Sequence, residues 1–151
     1  MNLKKQSGAT LIEVAITVLL LSTCLLAMAV MQKRSLQFNQ SSFMRSQANI
    51  FAYDIIDRIR LNRGGDTSSN IDKYNTDYGG TPSGNALATT DVSEWRANMT
   101  RSIPNSDGKV ECVVSTKICK ISIKWTEEQI FGTAGTTNPD ATTELIFSTS
   151  I

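Results

Sequence analysis

The chain has 151 residues, a length typical of one modest domain with an additional N-terminal segment. Its 15 Lys and Arg residues nearly balance its 14 Asp and Glu residues, which excludes a strongly basic chain that binds nucleic acid through its overall charge. The sequence has no histidine, the commonest general base and metal ligand. We therefore expect neither an enzyme nor a protein with a metal or another cofactor, and we predict no specific nucleic-acid partner.

The N-terminal segment is apolar enough to cross a membrane. Residues 14–31 carry no charge, and eighteen such residues reach the length of a transmembrane helix. Lys4 and Lys5 precede this stretch, as they would in any export signal. The pattern by itself fits a Sec signal peptide cleaved after Ala27-Met28-Ala29, a lipoprotein signal ending at Cys24, and a single-pass anchor.

Glu13 separates these alternatives, because it places a carboxylate at the start of the apolar stretch. A charged side chain at the centre of a bilayer costs about 2.5 to 3.5 kcal/mol on insertion scales. An ordinary signal peptide or anchor gains nothing from this cost, so Glu13 indicates a partner of opposite charge. A backbone amine, released by cleavage just upstream on a neighbouring copy of such a helix, would supply that charge.

Residues 7–14 (SGATLIEV), behind a short basic leader, resemble the class III signal of type IV pilins and type II secretion pseudopilins. The resemblance implies that a prepilin peptidase removes residues 1–8 by cutting between Gly8 and Ala9 and then methylates the new N-terminus. The family usually has Phe at the position of Ala9. The resemblance also implies that Glu13 pairs with the N-terminal amine of an adjacent subunit during assembly.

Orientation in the membrane follows from this motif. The two lysines before the apolar stretch are balanced by Lys33 and Arg34 after it, so the basic residues alone do not decide the topology. The resemblance implies a single-pass inner-membrane protein with a periplasmic C-terminal domain that later enters a pilus at the cell surface.

A single long helix is predicted for residues 9–62, which contain neither Gly nor Pro, with a stop at Gly64-Gly65. Residues 9–31 form its membrane and assembly part. Residues 32–62 continue as an amphipathic helix with an Asp54–Arg58 pair on the polar face. The apolar stripe consists of Met44, Ala48, Phe51, Ala52, Ile55 and Ile59. Ile50 and Ile56 lie off this stripe, and we expect them to face a neighbouring subunit.

Residues 66–90 are polar and are predicted to form a long loop with little to bury. Asp72, Asn75 and Asp77 within it do not complete a calcium loop, so we interpret them as solvated loop residues. A short helix is predicted to begin with Asp91 as N-cap and to end near Ser102, before Pro104. Its buried anchor is expected to be Trp95.

Two strands with alternating apolar residues follow, at residues 109–115 and 119–126. Pairing them as a hairpin with Cys112 opposite Cys119 puts both cysteines on the core face within disulfide range and leaves Ser115-Thr116 as the turn. A disulfide here would require an oxidising compartment. After a loop at 132–143, a last strand is predicted at 144–150 with Leu145 and Phe147 on one face.

These elements predict an α+β fold in which the long N-terminal helix packs on a small antiparallel sheet, with residues 63–151 as the globular domain. A narrower resemblance, to PilV-type minor pilins, lies in residues 46–48 (SQA) and 52–63 (AYDIIDRIRLNR), in Trp95 and in the strand ISIKW at 121–125. It implies a minor pilin that helps to prime and assemble type IV pili, with other minor pilins and the major pilin as partners. A type II secretion pseudopilin and a tip adhesin or DNA-uptake pilin are the alternatives.

Overall fold

The computed structural model describes residues 9–64, 70–82, 84–126 and 142–151. The chain divides into two compact units, Met1–Asn39 and Gln40–Ile151. Helix α1 (Ala9–Asn62) begins in the first unit and ends in the second. The predicted long helix is thus confirmed at both ends, and Gly64 follows it with a left-handed φ of 75°, which a residue without Cβ adopts at no steric cost.

In the first unit, the described part of the chain is the N-terminal portion of α1. Every side chain from residue 11 to residue 36 is exposed to solvent, although most of them are apolar. This helix is long and apolar enough to cross a membrane. It is therefore a candidate membrane anchor.

The second unit contains the hydrophobic core, and the predicted stripe of α1 contributes to it. Ala48, Ala52, Ile55 and Ile59 are at most 1% exposed, and Met44 and Phe51 pack against the core partly buried. The core contains more side chains of α1 than the predicted stripe does.

The prediction that Ile56 faces a neighbouring subunit is wrong, because this side chain is 1% exposed and belongs to the core of its own chain. Ile50, in contrast, is 56% exposed. The difference has a physical reason, since the segment expected to bury little supplies Ile71 and Tyr74 to the same core and so enlarges the apolar surface that α1 covers.

The described part of the polar segment after α1 contains more regular structure than its composition indicates. A 3₁₀ helix, Ile71–Tyr74, buries its first and last side chains. Helix α2 (Ala86–Ser102) then begins five residues before the predicted N-cap, because the Asn85 side chain accepts a hydrogen bond from the Ala88 amide at 2.9 Å. Asp91 lies inside α2 and does not cap it. The predicted end at Ser102 is confirmed.

The sheet has three described strands, β1 (Asp107–Val113), β2 (Ile118–Thr126) and β3 (Thr142–Ser150), paired antiparallel in that order. Cys112 lies opposite Cys119, so the predicted hairpin register is confirmed. The turn spans residues 114–117 rather than Ser115-Thr116 alone, with Lys117 at a left-handed φ of 53°. Val114 consequently lies in the turn and is exposed, not on the core face. The loop predicted at 132–143 lies almost wholly outside the described residues.

Trp95 of α2 is the buried anchor that the sequence predicted, with 0% exposure. Its indole Nε1 donates a hydrogen bond to the main-chain oxygen of Phe51 in α1 at 2.8 Å. The ring also lies against β1 at Gly108, where an added Cβ would come within 2.1 Å of Trp95 Cη2. One side chain therefore connects both helices and the sheet.

Candidate functional site

The candidate site in the first unit is the start of α1. Gly8 lies outside the described residues, and Ala9 is the first residue of the helix. Glu13 follows one turn later, with an exposed side chain. It is the only charged residue among residues 9–31.

Among the described side chains at 11–31, the three hydroxyl groups are satisfied within the helix. Thr17 donates to the Val14 carbonyl at 2.8 Å, and Ser22 and Thr23 donate to carbonyls of their own preceding turn at 2.7 and 2.9 Å. Hydroxyl groups bonded in this way tolerate an apolar environment. Glu13 is thus the residue of this stretch whose charge still requires an external partner in an apolar environment.

In the second unit, Cys112 and Cys119 form the predicted disulfide across β1 and β2, with Cα atoms 4.0 Å apart. The side chains are 4% and 0% exposed, so the bond belongs to the core. Closing a loop of this length stabilises a fold by about 2 to 3 kcal/mol on the chain-entropy account. Disulfides persist in oxidising compartments. Cys24 in α1 is free and exposed.

Of the three polar residues considered for calcium, Asn75 and Asp77 have main-chain partners, and Asp72 contacts Lys73 Nζ at 3.5 Å through one carboxylate oxygen. The Asn75 amide donates to the Cys112 carbonyl at 3.0 Å and accepts from the Cys112 amide. Asp77 accepts from the Tyr78 amide at 2.8 Å, which lowers the pKa of its carboxyl together with the charge of Lys109. Among the described residues, no cluster of Cys, Asp or Glu side chains could hold a metal ion.

A polar network joins α1, the 3₁₀ helix and α2. Arg58 contacts Asp54 at 3.4 Å, as predicted, and also Asp91 at 3.3 Å and Glu94 at 3.2 Å. Burial opposes the charge of Arg58, but these carboxylates outweigh it and raise its pKa. The Tyr74 hydroxyl donates to Asp91 at 2.6 Å, and burial followed by this hydrogen bond raises the pKa of Tyr74 to about 12. One arginine and one buried phenol therefore fix α2 against α1.

Arg96 of α2 holds the segment after the 3₁₀ helix against β1. Its guanidinium donates to the main-chain oxygens of Asp77 at 2.6 Å, of Gly108 at 3.0 Å and of Gly80, and lies 3.2 Å from the Asp107 carboxylate. Burial lowers the pKa of Arg96, although the nearby carboxylates of Asp107 and Asp77 favour its charged form. Nothing in the sequence pattern indicated this role, because most of its partners are main-chain atoms distant in sequence.

No family model, curated protein or solved structure matches this chain. The two candidate features are an exposed apolar helix with a single carboxylate and a small disulfide-bonded α+β unit.

Proposed function

We propose that this chain is a minor pilin of the PilV type, which starts as a single-pass inner-membrane protein and helps to prime and assemble a type IV pilus. The observation that carries the proposal is the N-terminal part of α1, whose apolar side chains are exposed and whose lone charge is Glu13. Such a surface is costly in water and needs lipid or other apolar helices around it. A pilin helix has both in turn, first in the membrane and then in the filament.

The proposed sequence of events begins with prepilin peptidase. It removes residues 1–8, and Ala9 becomes the methylated N-terminus. The carboxylate of Glu13 then pairs with the amine of a neighbouring subunit, so that two charges enter an apolar environment as a neutral pair. Because Glu13 is the only charge in residues 9–31, this pair fixes the register of otherwise featureless apolar helices.

The second unit supports the same proposal. It buries its own part of α1 under α2 and the sheet, and its disulfide fits a periplasmic domain that remains folded after it reaches the cell surface. We propose other minor pilins and the major pilin as its partners.

Deleting the gene and counting surface pili, while also measuring a substrate of type II secretion, tests this function. We expect most surface pili to be lost, because priming fails, and secretion to continue. Complementation with the wild-type chain restores the pili. Lost secretion with normal piliation would assign the chain to a secretion pseudopilus instead, and normal behaviour in both assays would contradict any assembly role.

A further inference from the structure

The two edges of the sheet differ in how their main-chain groups are satisfied. On the β1 edge, Val110 exchanges two hydrogen bonds with Thr76, at 2.9 and 3.1 Å. The Asn75 side chain pairs with both main-chain groups of Cys112, as a peptide group would. The Gly108 carbonyl accepts from Arg96. Three successive outward-facing residues of β1 are thus capped, and this edge is closed to another strand.

The pairing of β1 determines which groups of β3 point outward. Since Val110 directs its main-chain groups to Thr76, its pair with Ile121 on β2 is not hydrogen-bonded, and Ile121 bonds to Phe147 instead. The alternation continues along β3, so the N–H and C=O groups of Ile146 and Ser148 point away from β2. In the described part of the chain, β3 pairs with β2 alone.

The core is also incompletely covered beside β3. Inward-facing side chains of β1 and β2, such as Val110, Ile121 and Ile123, are 0% exposed, whereas Leu145 and Phe147 of β3 are only partly buried. Tyr53 of α1 contacts the Phe147 ring edge-on at 5.0 Å and remains 53% exposed. We call Tyr53, Leu145 and Phe147 the aromatic ledge.

We propose that β3 accepts an extended strand of another protein subunit, which continues the sheet and covers the aromatic ledge. An added strand would satisfy the main-chain groups of Ile146 and Ser148, because a strand offers donors and acceptors at the same spacing. The ledge requires apolar side chains at alternate positions of that strand. A further apolar side chain is required opposite Ile146, which is 54% exposed on the outer face. The partner is therefore a strand with three consecutive apolar residues opposite Leu145, Ile146 and Phe147, and without an acidic residue near Glu144.

The proposal rests on the proposed assembly role and adds that another subunit joins at only one edge of the sheet. A strand can be added at β3, whereas addition at β1 would have to displace Thr76 and Asn75 from their hydrogen bonds. Each copy thus accepts one strand at one edge, and its sheet does not continue in both directions.

The sequence of β3 itself provides a probe. The residue types are nearly symmetric about Ile146. Leu145 and Phe147 flank it, and residues with hydroxyl groups stand at both ends of the strand. An antiparallel peptide TTELIFSTS would consequently place apolar residues opposite apolar residues, and Glu144 opposite a serine. A peptide with proline at every second position lacks the donors of one edge and serves as the control probe.

The test measures the binding of the fluorescently labelled peptide TTELIFSTS to the full chain in detergent. Ser148→Pro removes an outward N–H but no bond to β2, so the fold persists while binding weakens at least about tenfold, as loss of one buried hydrogen bond implies. Ile146→Lys adds a charge to the same edge and weakens binding similarly. Ser148→Thr keeps the N–H and binds like the wild-type chain.

Amide exchange of the peptide-free chain tests whether the outer edge of β3 is unpaired. We expect the Ile146 and Ser148 amides to exchange faster than the Phe147 amide and to become protected by the peptide. No saturable binding, equal binding by all variants, or Ile146 and Ser148 amides already protected in the monomer would overturn the proposal. The peptide reports only that the edge accepts a strand, so a dimer of the full chain that Ser148→Pro dissociates would assign the edge to a second copy and overturn the choice of another subunit. The gene-deletion phenotype is independent of these readouts, so failure of the strand site and failure of the pilus role can be told apart.

Discussion

Glu13→Ala is expected to leave the chain in the membrane but to exclude it from sheared pili. The substitution removes the one charge of residues 9–31, so membrane insertion becomes no less favourable. A neighbour's N-terminal amine then lacks its partner in an apolar environment. If that loss is about 2.5 to 3.5 kcal/mol, as for a lone charge in a bilayer, incorporation falls by roughly two orders of magnitude. Quantitative immunoblots of membrane and pilus fractions measure this ratio.

Two further variants of the same residue separate charge from size. Glu13→Gln keeps the shape and loses the charge, and we expect it to behave like Glu13→Ala. Glu13→Asp keeps the charge on a shorter side chain and should retain part of the incorporation. Normal incorporation of both neutral variants would contradict the proposed charge pair, whatever the behaviour of Glu13→Asp.

Gly108→Val is expected to destabilise the second unit by at least about 3 kcal/mol, the upper range for overpacking a core. A Cβ at this position would lie 2.1 Å from Trp95 Cη2 and 2.4 Å from Trp95 Cζ3. The indole cannot withdraw easily, because it is fully buried and donates to the Phe51 carbonyl. Urea unfolding of the full chain in detergent, followed by tryptophan fluorescence, measures the change in the free energy of unfolding.

A double-mutant cycle identifies the cause of this loss. In a Trp95→Phe background the ring is shorter, so Gly108→Ala should cost clearly less than it costs beside the tryptophan. Equal costs in the two backgrounds would mean that the strand backbone, rather than the indole, requires glycine at position 108.

The long helix and the disulfide hairpin could be predicted because their causes are local. Helix α1 has no Gly or Pro between Ala9 and Asn62, so nothing interrupts its hydrogen bonding. In the hairpin, the period of two and the cysteine spacing independently require the same register, and the structure has that register. Local signals that agree leave little room for tertiary contacts to change the result.

The start of α2 was missed because two residues fit the same rule. Asn85 and Asp91 are both suitable N-caps, and only the folded chain uses Asp91 for Tyr74 and Arg58 instead. Ile56 was misplaced for a related reason, since its partners in the core come from a segment that composition marks as polar. Such outcomes depend on contacts between residues distant in sequence.

The closure of the β1 edge could not be read from the sequence either. It depends on Asn75 meeting Cys112, 37 positions later, and on Arg96 reaching main-chain oxygens in two other segments. Asparagine and arginine at these positions are typical of solvated loops and helix surfaces when only neighbours in sequence are considered. Their roles emerge once the sheet exists.

The central claim, that α1 is the assembly helix of a processed pilin, is tested most directly by the mass of the intact chain from membranes and from pili. The prediction is an N-terminus at Ala9 that carries one methyl group. An N-terminus after Ala29 would indicate a Sec signal peptide, a lipid-modified Cys24 would indicate a lipoprotein, and retention of residues 1–8 would indicate a plain anchor. Any of these three results would contradict the proposed role of Glu13.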